Sequence, residues 1–231
     1  MILVLWDIDR TLLYIGETDR LVYREIFEEV IGRPPQALPE RGTGVTMPCA
    51  VRDLLLANDV PAPALDQLIA RITEKMPAQL RRHQAELRKN GHLMPGAVTA
   101  LKAVQQAPQL IPTVVTGNLK DSALIKLETF GLTSYLDTTV GAYASDDSHR
   151  PALVRIAQQR AEAAHGQPFN RNNTVIIGDS LQDVRTGIEG GAKIIGVASG
   201  TTTAASLKTA GADHVIADLA DADHLLSLLT S

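Results

Sequence analysis

The sequence is poor in cysteine: its 231 residues include one, Cys49, so no disulfide can form within the chain. A chain without disulfides fits a reducing compartment, and we expect a cytoplasmic protein. Apolar runs of about 18 residues, which a transmembrane helix needs, are also absent. The apolar start at residues 2–6 has no basic segment before it and meets acids at once, unlike a signal peptide.

Aromatic residues and surplus positive charge are scarce as well. Aromatics make up 3% of the chain, and 22 Lys and Arg face 26 Asp and Glu, for a net charge of -4. This balance gives no electrostatic reason to expect nucleic acid or a membrane surface as partner. Few aromatics also disfavour a nucleobase-stacking pocket. We expect a small-molecule partner, and the sequence does not indicate an oligomeric state.

Hydrophobic residues are plentiful, at 45% of the chain, and they fall into short continuous runs. Continuous rather than alternating runs are typical of strands that are covered on both faces. The predicted strands are residues 2–6, 111–115, 139–142, 175–177, 194–197 and 214–216. The predicted helices between them are residues 95–106, 120–130, 151–165, 181–190 and 203–210. This alternation predicts an α/β fold with a doubly wound parallel sheet.

The segment from residue 14 to residue 91 breaks the alternation, because it contains helical patterns and no convincing strand. One helix is predicted to begin near Thr18 and to stop at Gly32. Pro77 is predicted to kink or break a later helix. We therefore expect a core domain of residues 1–13 and 92–231, with an all-helical domain of residues 14–91 inserted after the first strand.

Polar residues follow several of the predicted strands. In open α/β sheets, ligands bind at the carboxyl ends of the strands, so these residues should converge on one crevice. They are Asp7, Asp9, Thr116, Gly117, Asn118, Asp179 and Asp183, together with Arg150 before the next helix. Each alone could be a turn former, a helix cap or a helix entry; the four acids together favour a functional site.

The crevice would hold four carboxylates, and two like charges about 4 Å apart repel by about 4 kcal/mol at an effective dielectric near 20. A divalent cation relieves that repulsion, and oxygen ligands suit Mg²⁺. Thr116 and the backbone N–H groups of Gly117 and Asn118 would then form a phosphate seat. Arg150 could grip phosphate with two hydrogen bonds.

The paired acids Asp7 and Asp9 suit phosphate ester hydrolysis in two steps. One carboxylate can attack phosphorus and form an acyl phosphate. Its neighbour can protonate the departing alcohol and then deprotonate the attacking water. This pattern predicts a phosphatase.

The stretches "DIDRT", "VVTGN", "HRP" and "GDSLQD" resemble, in order, the four motifs of the haloacid dehalogenase (HAD) superfamily. The helical insert and "MPGAVTALKAV" resemble its phosphoglycolate-phosphatase-like branch, which has a helical cap. The resemblance implies that Asp7 is the nucleophile, Asp9 the acid/base and Thr116 a phosphoryl ligand. It also implies Mg²⁺ held by Asp7, the main-chain carbonyl of Asp9 and Asp179, with Asp183 nearby.

This sequence departs from the family pattern at two positions. Arg150 stands where relatives usually carry lysine, and Arg10 stands where many carry a small or apolar residue. Lys120 and Lys126, on the helix after the second motif, are interpreted as surface lysines. We expect Arg10, Arg41 and Thr43 to contribute to substrate specificity, although "RGTGVT" could equally be a flexible turn.

Other activities of the superfamily remain open to different degrees. Asp9 disfavours dehalogenation, which has no alkoxide leaving group to protonate. A sugar-phosphate mutase would keep both acids and is the first alternative. A non-catalytic phospho-binding module is the second. The favoured prediction is a Mg²⁺-dependent hydrolase acting on a small phosphorylated metabolite.

Overall fold

The computed structural model describes residues 1–39 and 44–230. Its strands are β1 Ile2–Trp6, β2 Leu13–Tyr14, β3 His92–Leu93, β4 Leu110–Thr116, β5 Ala142–Tyr143, β6 Thr174–Gly178, β7 Lys193–Val197 and β8 His214–Ile216. Its α-helices are α1 Thr18–Ile31, α2 Met47–Leu56, α3 Leu65–Arg82, α4 Gln84–Asn90, α5 Ala97–Gln106, α6 Lys120–Thr129, α7 Arg150–His165, α8 Leu181–Gly190, α9 Ala204–Ala210 and α10 Ala222–Leu229.

The main sheet has six strands in the order β5-β4-β1-β6-β7-β8, and every neighbouring pair in it is parallel. Strand β1 is central, and its Leu5 pairs with Thr113 of β4 and Ile176 of β6. Successive β1 side chains enter different cores, Val4 and Trp6 in one and Leu3 and Leu5 in the other. Both faces of β1 are therefore buried, and the predicted doubly wound α/β fold is confirmed.

The helical segment shares a buried apolar core with one face of this sheet, and its helices α3 and α4 contact α6. Phe27, Leu54 and Met76, from α1, α2 and α3, belong to the same buried apolar cluster as Val4 and Trp6. Helix α3 continues through Pro77 and ends at Arg82, so Pro77 does not break the helix. Among the described residues, no helix combines the length and the apolar character needed to cross a bilayer.

A two-stranded antiparallel ribbon of β2 and β3 joins the helical segment to the sheet. Leu13 pairs with Leu93 and Tyr14 with His92, so the chain leaves and re-enters the core side by side. The sequence analysis did not predict either strand. The domain limits at residues 13/14 and 91/92 fall within this ribbon and stay a prediction.

Candidate active site

The three central strands of the sheet bring the predicted site residues together. Asp7 follows β1, Thr116 ends β4 and Asp179 follows β6, and all three side chains are buried. The backbone N–H of Asp7 donates to the carbonyl oxygen of Ile177 at 2.9 Å, which continues the pairing of β1 and β6 beyond β1. These residues line the floor of a cavity of about 170 Å³.

Two of these residues, Asp7 and Asp179, belong to a buried acidic cluster. Asp7, Asp179 and Asp183 each offer a carboxylate oxygen, and these oxygens lie within 4.8 Å of one another. Burial and the charge of Asp183 raise the pKa of Asp7 well above its usual value. The same two causes raise the pKa of Asp179 to about 7. The cluster therefore holds more negative charge than its surroundings neutralise.

Arg150, the first residue of α7, reaches this cluster and is buried. Its Nη2 donates to Oδ1 of Asp7 at 2.7 Å and also to Oδ1 of Asp183. Its Nη1 donates to the carbonyl oxygen of Gly44. Its Nε is buried and has no hydrogen-bond partner in the described part of the chain. Arg150 thus neutralises part of the acidic cluster and connects it to the loop before α2.

Asp183 is fixed by the start of α8. Ser180 is the N-cap of this helix, and Oδ2 of Asp183 accepts from its backbone N at 2.9 Å and its Oγ at 2.6 Å. This reciprocal capping box satisfies N–H donors that a helix start would otherwise leave unpaired. Both oxygens of Asp183 therefore have donors, one from Ser180 and one from Arg150.

One carboxylate oxygen of Asp7 and one of Asp179 have only a long contact to a hydrogen-bond donor. Oγ1 of Thr11 lies 3.4 Å from Oδ2 of Asp7 and 3.3 Å from Oδ1 of Asp179, both long for O–H···O bonds. A Cβ added to Gly200 would overlap Oδ2 of Asp179, so a glycine is needed beside this carboxylate. Hard oxygen donors with surplus negative charge fit a divalent cation, which Asp7 and Asp179 could hold directly.

Asp9 lies apart from the acidic cluster. Its carboxylate accepts from Nζ of Lys126 at 2.9 Å through both oxygens, and Oδ2 accepts from Nδ2 of Asn118 at 2.7 Å. The side chain of Asp9 is therefore not placed as a metal ligand here, which leaves its backbone carbonyl for that predicted role. It does line the cavity beside Asp7.

The interpretation of Lys126 as a surface lysine is wrong, because its side chain is fully buried. Lys126 follows Ser122 and Ala123 by one helical turn on the buried face of α6. A charged residue between Ile125 and Leu127 on that face was the signal that the sequence analysis overlooked. Lys120, at the start of the same helix, is exposed as expected.

The segment from Thr116 to Asn118 is held by its own polar groups and by the loop before α2. Oγ1 of Thr116 accepts from the backbone N of Asn118 at 3.2 Å and from its Nδ2 at 2.8 Å. The carbonyl oxygen of Gly117 accepts from the backbone N of Met47 at 2.7 Å. A Cβ on Gly117 would lie 2.6 Å from the carbonyl oxygen of Val45, so this glycine also admits that loop.

The rest of the cavity wall comes from the helical segment and the turn after β1. Arg10 has a positive φ of 65°, and its guanidinium lies 4.8 Å from the ring centroid of Tyr14. The other lining residues from this side include Asp19, Arg20, Tyr23 and Met47. Arg41 and Thr43, predicted to contribute to specificity, lie outside the described residues.

Comparisons with known proteins agree with this geometry. Residues 148–222, which include Arg150, Asp179 and Asp183, match a family described as HAD-hydrolase-like. Probable phosphatase IndB of Dickeya dadantii (strain 3937) is 29% identical over 170 residues, covering 68% of this chain and 70% of that protein.

Two solved structures share the fold over nearly the whole chain. A hydrolase from Pseudomonas syringae gives a TM-score of 0.71 at 21% identity and covers 100% of both chains. A predicted phosphatase from Clostridium acetobutylicum gives a TM-score of 0.70 at 19% identity, covering 99% of this chain and 97% of that one. At these identities the likeness concerns the architecture.

Proposed function

We propose that this chain is a haloacid dehalogenase-like hydrolase that works as a Mg²⁺-dependent phosphatase through an aspartyl phosphate on Asp7. The observation that carries the proposal is the buried acidic cluster, in which one oxygen of Asp7 accepts from Arg150 and the other shares the Thr11 hydroxyl group with Asp179. Asp9 lines the same cavity two residues away. A nucleophile, a proton donor and a cation site therefore surround one small space.

In this proposal Mg²⁺ is held by Asp7 and Asp179, with the backbone carbonyl of Asp9 as a further ligand. When bound, it supplies positive charge that lets the acids stay ionised next to a phosphate dianion. Asp183 acts through the groups it holds, because its oxygens accept from Ser180 and Arg150. Arg150 in turn fixes the Asp7 carboxylate, which is proposed to hold the cation through one oxygen and to attack phosphorus through the other.

The proposed chemistry has two steps. A carboxylate oxygen of Asp7 attacks phosphorus, the ester P–O bond breaks, and the protonated carboxyl group of Asp9 gives its proton to the departing alkoxide. Asp9 then takes a proton from a water molecule, which attacks phosphorus and breaks the bond to Asp7. The products are an alcohol and inorganic phosphate, and both carboxyl groups return to their starting states.

The phosphoryl oxygens are proposed to lie against Thr116 and the backbone of Gly117 and Asn118, at the end of β4. The cavity of about 170 Å³ is smaller than the roughly 300–1,000 Å³ of pockets for drug-sized ligands. It suits a small phosphorylated metabolite. Residues 14–91 are proposed to act as a cap over this site, and Arg10, in the turn after β1, to face the alcohol part of the substrate. A cytoplasmic location is part of the same proposal.

The test is phosphate release from p-nitrophenyl phosphate, with Mg²⁺ and with EDTA. We expect activity with Mg²⁺, its loss in EDTA, and a fall of several orders of magnitude in Asp7→Asn, because a carboxamide cannot act as the nucleophile. Asp66→Asn, in an exposed ion pair with Arg52, is the matched control and should keep full activity.

Full activity of Asp7→Asn, or turnover that survives metal removal, would overturn the proposal. A screen of phosphorylated metabolites then identifies the reaction type from its products. Free phosphate supports a phosphatase. An isomerised phosphate ester without free phosphate would instead make the protein a sugar-phosphate mutase.

A further inference from the structure

Lys126 is a buried cation that the proposed phosphoryl transfer does not use. Its side chain is fully buried, and a lysine is rarely buried unless its charge is paired. Nζ has three hydrogens, and acceptors lie in three directions. These are the carboxylate of Asp9 at 2.9 Å, Oδ1 of Asn118 at 2.8 Å and Oδ2 of Asp19 at 3.2 Å. The ammonium group therefore has an acceptor residue for each of its three hydrogens.

The three acceptors come from three separate parts of the chain. Asp9 lies in the turn after β1, Asn118 in the loop after β4, and Asp19 in the first turn of α1 in the helical segment. Asn118 also donates from Nδ2 to Oδ2 of Asp9 at 2.7 Å. The Asp9 carboxylate is thus held from two sides, by Lys126 on both oxygens and by Asn118 on one.

This arrangement bears directly on what Asp9 must do. A general acid works only when its oxygen is within hydrogen-bond reach of the leaving group, and errors near 1 Å cost roughly 10²-fold in rate. A short aspartate side chain on a turn keeps such a position only if other groups hold it. One ammonium shared by two carboxylates also connects the proton donor to helix α1.

Resting on the proposed function, we infer that Lys126 is a positioning residue that orients the Asp9 carboxyl group toward the leaving oxygen. Asp19 anchors the ammonium group from the helical segment. The residue acts through Asp9 and touches neither phosphorus nor the cation site. Its loss should therefore affect proton donation specifically, and not the attack by Asp7.

Two esters with different leaving groups distinguish this positioning role of Lys126 from a purely structural role. Phenyl phosphate and p-nitrophenyl phosphate differ little in size, but phenoxide is the poorer leaving group and needs the proton more. The ratio kcat/KM reports the steps up to phosphoryl transfer to the enzyme. It is therefore measured for both esters with Mg²⁺, in the unaltered protein, in Lys126→Met and in the matched surface control Lys120→Met.

We expect Lys126→Met to lower kcat/KM about 10²-fold for phenyl phosphate, the scale of a lost general acid. For p-nitrophenyl phosphate the fall should be less than about tenfold, since that leaving group departs without help. Lys120→Met should leave both values unchanged. Circular dichroism and thermal unfolding establish whether each variant is folded.

Lys126→Met leaves Asp9 and Asp19 without a counter-charge. If that variant does not fold, the same kinetics are measured on the double variant Lys126→Met/Asp19→Asn, and the larger loss of kcat/KM is again expected for phenyl phosphate. Equal losses for the two esters, or no loss, would overturn the inference and leave the phosphatase proposal intact. Failure of the unaltered protein to release phosphate from either ester would overturn the phosphatase proposal and, with it, the inference.

Discussion

At the scale of single residues, the site is defined by which charges have partners. Arg150 neutralises Asp7 and Asp183 together, and Lys126 does the same for Asp9 and Asp19. Asp179 has no ion-pair partner among the described residues, and its pKa is raised to about 7. The sequence predicted Asp7, Asp9, Asp179 and Asp183, because they follow strands, but not Asp19, which lies on α1. It did not reveal this division of cations, which depends on contacts between residues more than 100 positions apart.

Because burial and the charge of Asp183 raise the pKa of Asp179, we expect the free energy of unfolding to fall as pH rises when no divalent cation is present. Its folded pKa of about 7 exceeds the reference value of 3.8, so the folded protein keeps a proton that the unfolded chain releases. That stabilisation is complete below about pH 4 and is lost as pH rises through about 7. At about 1.4 kcal/mol per pH unit, it should fall by on the order of 3 kcal/mol between about pH 5 and pH 8.

The contribution of Asp179 to this pH dependence is measured by urea unfolding in EDTA at the two pH values. The unaltered protein is compared with Asp179→Asn. The amide does not titrate, so the unaltered protein should lose stability relative to the variant as pH rises. Added Mg²⁺ should restore it at the higher pH. A stability difference that stays constant between the two pH values would show that Asp179 does not carry this charge.

At the scale of elements, the strands were predictable and the smaller features were not. Continuous apolar runs identified five of the parallel strands closely, since burial on both faces leaves a strong signal. Strand β5 was placed three residues early at its start, because it is two residues long. Helix α10 was missed, as its eight residues contain two buried leucines, Leu225 and Leu229, too few to show a helical period.

Helix α8 shows how a helix start can also build a site. Ser180 caps α8 and holds Asp183, whereas Thr203 caps α9 by accepting from the backbone N of Ser206 at 3.1 Å, away from the cavity. Ser180→Ala and Thr203→Ala should each lower the free energy of unfolding by about 1 kcal/mol. Only Ser180→Ala should also lower kcat/KM, because Asp183 loses a donor and its hold on Arg150 loosens.

Denaturant unfolding and p-nitrophenyl phosphate turnover of the two cap variants provide the comparison. Thr203→Ala controls for the loss of a helix cap as such. Equal activities of the two variants would show that Asp183 is held well enough without the Ser180 hydroxyl group.

At the scale of the whole molecule, the loop before α2 closes one side of the site. The backbone N of Met47 donates to the carbonyl oxygen of Gly117, and Oγ1 of Thr46 donates to the carbonyl oxygen of Ser148 at 2.9 Å. The carbonyl oxygen of Gly44 accepts from Nη1 of Arg150. On the other side, Asp19 of α1 reaches Lys126. The loop before α2 and helix α1 therefore connect to Asp7 and Asp9 through one cation each. The sequence predicted an insert over the site, but not these contacts, because they require the packed arrangement of distant elements.

The proposed mechanism depends most on Asp7 as the nucleophile. The direct test is acid quenching during the first turnover of p-nitrophenyl phosphate with Mg²⁺, followed by peptide mass spectrometry. Because p-nitrophenolate is a good leaving group, the aspartyl phosphate should form quickly from this substrate. We predict a phosphoryl group on the peptide containing Asp7, absent in EDTA and in Asp7→Asn. Release of phosphate in that turnover with Asp7 unmodified throughout, or a phosphoryl group on another side chain, would contradict the account.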